Sequence, residues 1–159
     1  MGIRGKAGLV PLVFLLALAG ALADPRSASA GGDRDQVLPG CGICYPGGYD
    51  INTVGDVQGT ILELQTPAEG PVRLVVVGER ERWIVLASPT WFWMSVQPRP
   101  VRGDLVTVRG SKSLGADGSL YLVAREIRQP RSETAVVLRD RRGIPLWGGG
   151  RHGRGRSGF

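Results

Sequence analysis

The sequence predicts an all-β fold, a five-stranded Greek-key barrel with one short helix between the third and fourth strands. Three observations predict it. Residues 54–140 carry a series of short β-type apolar runs, separated by turns rich in Gly, Pro, Asp and Glu. Helical signals occur in only one stretch, "SPTWFWMSVQPRP" from Ser88 to Pro100. Of the flanks, residues 24–48 are rich in Gly, Ser, Ala, Asp and Pro and residues 148–159 in Gly and Arg, and neither shows an apolar period. They read as a disordered leader and a disordered tail.

The strands follow in order. "VGDVQGTILEL", Val54 to Leu64, is the first, with Gly59 placed to relieve the bend a long barrel strand must make. "TPAEGP" turns the chain into the second run, Val72 to Val77, and "GERE" makes a hairpin to the third, Trp83 to Leu86. Ser88 reads as a helix cap and Pro89 as a first helical residue, whose missing N–H is no loss there. Pro98 and Pro100 end that helix. After Gly103, "DLVTVRG" alternates apolar and polar residues as a half-buried fourth strand does. "LGADGS" leads to the fifth, Leu120 to Ile127, and Thr134 to Asp140 offers a sixth.

A helix placed between strands three and four of a five-strand series is the order of the OB-fold, where the helix plugs one open end of the barrel. Burying one aromatic ring there is worth roughly 2–3 kcal/mol. Side chains two positions apart on a helix point about 200° away from each other, so Trp91 and Trp93 do not both face inward. The i, i+3 pair Trp91 and Met94 is expected to face the barrel. At least one of Phe92 and Trp93 is then left near the surface.

In this order, "VGDVQGTILEL", "ASPTWFW", "GDLVTVRGS" and "LVAREI" resemble small exported bacterial OB-fold proteins, among them the periplasmic family linked to stress tolerance. The chain is also similar to exported proteins that begin with Tyr-Asp before strand one and end Leu-Arg-Asp-x-x-Gly-x-Pro-x-Trp. Here these are Tyr49-Asp50 and Leu138-Arg139-Asp140 through Gly143, Pro145 and Trp147. The resemblance covers residues 49–147. It implies an OB barrel, an extracytoplasmic compartment and, for some relatives, DNA binding, and it brings no catalytic residues.

Compartment is also read from the start of the chain. Arg4 and Lys6 precede an apolar run from Ala7 to Gly20, and Ala21-Leu22-Ala23 supplies small residues at −3 and −1. A signal peptide of residues 1–23, cleaved after Ala23, is the expectation. A membrane anchor is the weaker reading, because the run falls short of the ~20 residues needed to span hydrocarbon. The protein is therefore expected to be periplasmic or secreted, with no membrane span in the mature chain.

The net charge of +6 belongs to the ends. From Asp50 to Asp140 there are eleven basic and eleven acidic residues, whereas residues 141–159 hold five arginines and no acid. A neutral body argues against a groove that tracks phosphates, while Arg151, Arg154 and Arg156 in the tail suit loose contact with nucleic acid or an anionic envelope polymer. For ligand contact the candidate aromatics are Trp83, Phe92, Trp93, Tyr121 and Trp147, with core docking the preferred reading of Trp147.

Cys41-Gly42-Ile43-Cys44 is the remaining feature with chemistry. A local disulfide is the first reading; an intermolecular bridge, a metal contact and redox chemistry are the others. A four-ligand zinc site is disfavoured, since the only histidine is His152 in the tail. No paired carboxylates in an apolar setting and no Ser–His–Asp set are apparent, so neither catalysis nor a cofactor is expected. Three functions remain: a binding module using the helix and the strand two–three face, a nucleic-acid binder using the tail, and a thiol or metal handler using the cysteine pair.

Overall fold

The structure, a computed structural model, describes Gly2, residues 34–130 and residues 135–148. Its elements are β1 (Gln36–Val37), β2 (Cys44–Tyr45), β3 (Val54–Gln65), β4 (Pro71–Val77), β5 (Arg82–Pro89), α1 (Thr90–Ser95), β6 (Leu105–Leu114), β7 (Leu120–Arg128) and β8 (Ala135–Val137). Single 3-10 turns cover Ile51–Thr53 and Leu146–Gly148. Residues 1–23, expected to be a signal peptide, lie outside the described residues except for Gly2, as do Arg151, Arg154 and Arg156.

The strand order β5-β4-β3-β6-β7 closes on itself, because β5 also pairs with β7. That closing ladder is parallel, from Trp83 opposite Leu120 to Leu86 opposite Val123, and the other ladders are antiparallel. Closure leaves no free edge among the five strands. β3 makes it possible by serving both halves of the sheet: Val54–Thr60 pairs with β6 and Thr60–Gln65 with β4. A bulge between Ile61 and Glu63 bends it. Gly59 stands where a Cβ would come within 2.3 Å of the Val77 carbonyl oxygen, so only glycine admits the approach of the β4 end.

Cross-strand partners share a face of the sheet. Val85 lies opposite Leu74 and Leu122, and these three fill the barrel interior with Val72, Val76, Val106 and Val108. Leu86 and Val123 oppose each other with the reverse orientation, as do Ile84 and Tyr121. Yet Leu86, Val123 and Tyr121 are buried too. What covers them is the chain outside the barrel. Leu38, Cys41, Ile43 and Tyr45 on one side and Val136, Leu138 and Trp147 on the other belong to the same core. The Tyr45 hydroxyl donates to the Ala87 carbonyl at 3.0 Å, and the Leu138 amide donates to that of Arg125 at 2.7 Å.

Two expectations are corrected here. Residues 34–48 are not a flexible leader throughout: from Gln36 to Tyr45 they form a small hairpin whose apolar side chains seal the outer face of β5 and β7. The sixth strand is shorter than Thr134–Asp140, being Ala135–Val137 on the far half of β7.

Candidate functional site

α1 follows β5 without a loop. Pro89 holds the cap position and Ser88 is a buried strand residue, in place of the expected Ser88 cap. The Thr90 hydroxyl instead fixes the helix start by donating to the Pro67 carbonyl at 2.7 Å. The aromatic assignment is reversed from the expected one. Trp93 is 2% exposed and enters the core, whereas Trp91 is 62% and Met94 57% exposed. The rule that Trp91 and Trp93 face opposite ways holds; the i, i+3 spacing does not reveal which one turns inward. Because the strand passes directly into the helix, the strand's direction fixes the helix phase.

Phe92 is half-buried between the two faces. Its ring meets Trp91 edge-on at 5.8 Å and leans on Trp147 at 5.6 Å. The Arg99 guanidinium reaches back to the Met94 carbonyl at 3.1 Å and to its Sδ at 3.0 Å. The result is an open rim of Trp91, Phe92 and Met94 with a cation beside it.

Under that rim lies an aromatic cluster. Trp147 stacks on Tyr45 at 6.2 Å. Arg139, 1% exposed, sets its guanidinium carbon 4.9 Å from the Trp147 ring centre, 5.6 Å from Tyr45 and 5.8 Å from Tyr49. Arg139 Nη1 also donates to the carbonyls of Pro46 at 2.9 Å and Gly143 at 3.1 Å. Asp140 builds the turn that returns Trp147, accepting from the Arg142 and Ile144 amides at 2.8 Å each. Gly143, with φ +85°, is required there twice over: the conformation is left-handed, and a Cβ would fall 2.1 Å from Tyr49 Cδ1. The motif elements before and after the barrel strands, Tyr49 and Arg139-to-Trp147, are thus parts of one structural joint.

Of the candidate ligand aromatics, Trp83, Trp93, Tyr121 and Trp147 are buried and packed in the core, and Phe92 alone keeps a surface. Trp83 sits at the other end of β5 from α1, with Lys112 Nζ 5.2 Å from the ring centre and its Nε1 donating to Glu81 at 3.0 Å. Tyr121 donates to Asp117 at 2.8 Å, and burial together with that bond pushes the phenol up to about 12. The Asp117 carboxyl is lowered, first by the Ser119 amide and then by Tyr121.

Cys41 and Cys44 are free thiols, not the expected local disulfide. Their loop is held by Leu38 N–H to the Ile43 carbonyl at 2.8 Å and docks on the β6–β7 turn through Ala116 N–H to the Cys41 carbonyl at 2.8 Å. An open depression of about 460 Å³ lies between loop and turn, with both cysteines in its wall beside Ser113 and Gly115.

Tyr45 and Arg139 were not marked as candidate contacts by the sequence. A signal was there: "WIVLA" and "LYLVA" are apolar on both faces, which a barrel strand needs only if something covers its outside. Among the described residues, no three or more His, Cys, Asp or Glu side chains gather as a metal site, and no helix is long and apolar enough to cross a membrane. Fold and site together define a closed five-stranded β-barrel sealed by its own flanking segments, with one open aromatic rim. No family model matches the chain, and no curated protein matches it.

Proposed function

We propose that the chain is an exported, non-catalytic OB-type binding module that takes up a ring-bearing anionic polymer on the α1 rim. The observation that carries this reading is Trp91, left 62% exposed beside Met94 on a helix that buries its other tryptophan. A tryptophan and a methionine exposed side by side, with Phe92 against the tryptophan, form an apolar patch of the kind that meets a ligand. Arg99 next to it supplies the charge that a stacking platform for single strands or acidic polysaccharide uses. The Greek-key OB topology agrees with the strand order and with α1 following β5. Export agrees with the basic and apolar start of the sequence, and a role in the envelope or in stress tolerance with the motif resemblance. A non-catalytic role agrees with a single histidine placed in the tail.

Tryptophan fluorescence tests the proposal cleanly, because Trp83, Trp93 and Trp147 are shielded. Iodide is expected to quench only the Trp91 fraction, and Trp91→Ala to remove that fraction. Single-stranded oligonucleotide or acidic polysaccharide should protect the wild type from quencher and leave the variant unaffected. If neither polymer protects Trp91, the proposal fails. Nucleic-acid binding through Arg151, Arg154 and Arg156 is the second reading, favoured by five arginines and no acid in residues 141–159. Under it, removing residues 148–159 abolishes salt-sensitive retention on DNA while Trp91→Ala does not.

A further inference from the structure

We infer that Cys41 and Cys44 form a two-thiolate site for a soft monovalent metal ion, copper(I) in type, at a place separate from the α1 rim. Both cysteines are free, three residues apart, and in the wall of one open depression of about 460 Å³. The loop that carries them is preorganised. Gly40 and Gly42 take left-handed φ values of 85° and 70°, and the amides of Leu38, Gly42 and Gly48 close it through bonds of 2.8, 3.0 and 2.9 Å to Ile43, Leu38 and Cys44 carbonyls. Docking on Ala116 fixes its position against the barrel. The Cys41 thiol is held only loosely: its bond to the Leu38 carbonyl is a long 3.8 Å, and the Tyr121 hydroxyl is a second neighbour. Turning Sγ toward Cys44 therefore sacrifices only weak sulfur contacts, to the Leu38 carbonyl and the Tyr121 hydroxyl.

The chemistry of the donor set selects the ion. Thiolates are soft ligands and favour copper(I) over hard cations. Zinc asks for about four protein ligands, or three and a water, and no third His, Cys, Asp or Glu joins the pair among the described residues. Two sulfurs satisfy copper(I) in near-linear coordination. Binding replaces the two thiol protons, which pass to solvent, and leaves sulfur and metal at their original oxidation states.

The test uses the full chain, reduced and free of metal, titrated anaerobically against the copper(I)–bicinchoninate complex. One equivalent of copper(I) should leave the chromophore for the protein, with proton release. Cys41→Ser and Cys44→Ser should each lose this withdrawal. Wild-type chain in which the two cysteines have been oxidised to a disulfide should lose it too, and that arm needs no substitution in a buried loop. No withdrawal by the reduced chain overturns the inference, as does withdrawal that survives either substitution or oxidation. Preferential retention of zinc against a chelator, with copper(I) left in the chromophore, overturns it as well. Quenching of Trp91 by iodide reports on the α1 rim independently, so failure of one proposal leaves the other standing.

Discussion

Arg139 joins the segments that flank the barrel strands on either side at the scale of a single side chain. A guanidinium survives burial when its N–H groups are bonded and its faces lie on rings, and Arg139 has carbonyls of Pro46 and Gly143 and the rings of Tyr45, Tyr49 and Trp147. A lysine keeps the charge but neither the fork nor the plane. Arg139→Lys is expected to destabilise the fold by on the order of 3 kcal/mol in urea titrations, and an unchanged midpoint would remove Arg139 from this role. Tyr121 makes a second residue-scale prediction. Its pKa is raised in the fold, from 10.0 to about 12, by burial first and Asp117 second. The unfolded chain therefore loses its phenol proton first. The contribution of Tyr121 is fully present below pH 10 and disappears as pH rises toward 12. Tyr121→Phe should flatten the fall in stability across that window, and absorbance titration should show a late-forming phenolate that the variant lacks.

At the scale of elements, the N-terminal hairpin Gln36–Tyr45 belongs with β5 and β7. Tyr45 anchors it through its hydroxyl on Ala87 and its stack on Trp147. Tyr45→Phe, which loses only the hydrogen bond, should cost about 1 kcal/mol, whereas Tyr45→Ala should cost about 3–5 kcal/mol. Amide hydrogen exchange should speed up in residues 36–45 of the alanine variant before it does so in β3. If the two variants are equally stable, the hairpin contributes no core. The strands themselves were readable from the sequence, since "DLVTVRG" and "VRLVVV" carry their period or their apolar run locally. The α1 phase was not. Two tryptophans at i and i+2 exclude each other from one face by helix geometry alone, but which of them goes in depends on the heading of β5 and on Trp147 waiting beside Phe92.

For the whole molecule, a mostly β fold with five barrel strands was legible because each run is written in a contiguous stretch. The closed barrel was expected as well, but the covering of the outer faces of β5 and β7 was not, because it joins residues some 40 positions apart, as Tyr45 to Ala87. The candidate site was legible to the same degree. Ser88 to Pro100 stood out in the sequence for its aromatics, yet the exposed member is Trp91 and not Trp93. By itself, then, the sequence determined the β-type runs, the glycines where the backbone must crowd and the neutral charge of the body. Only the tertiary structure decided which side chains meet water. That choice is made by segments far away in the chain, whose apolar groups lower their free energy by covering one face of β5 and β7 and leaving the α1 rim open.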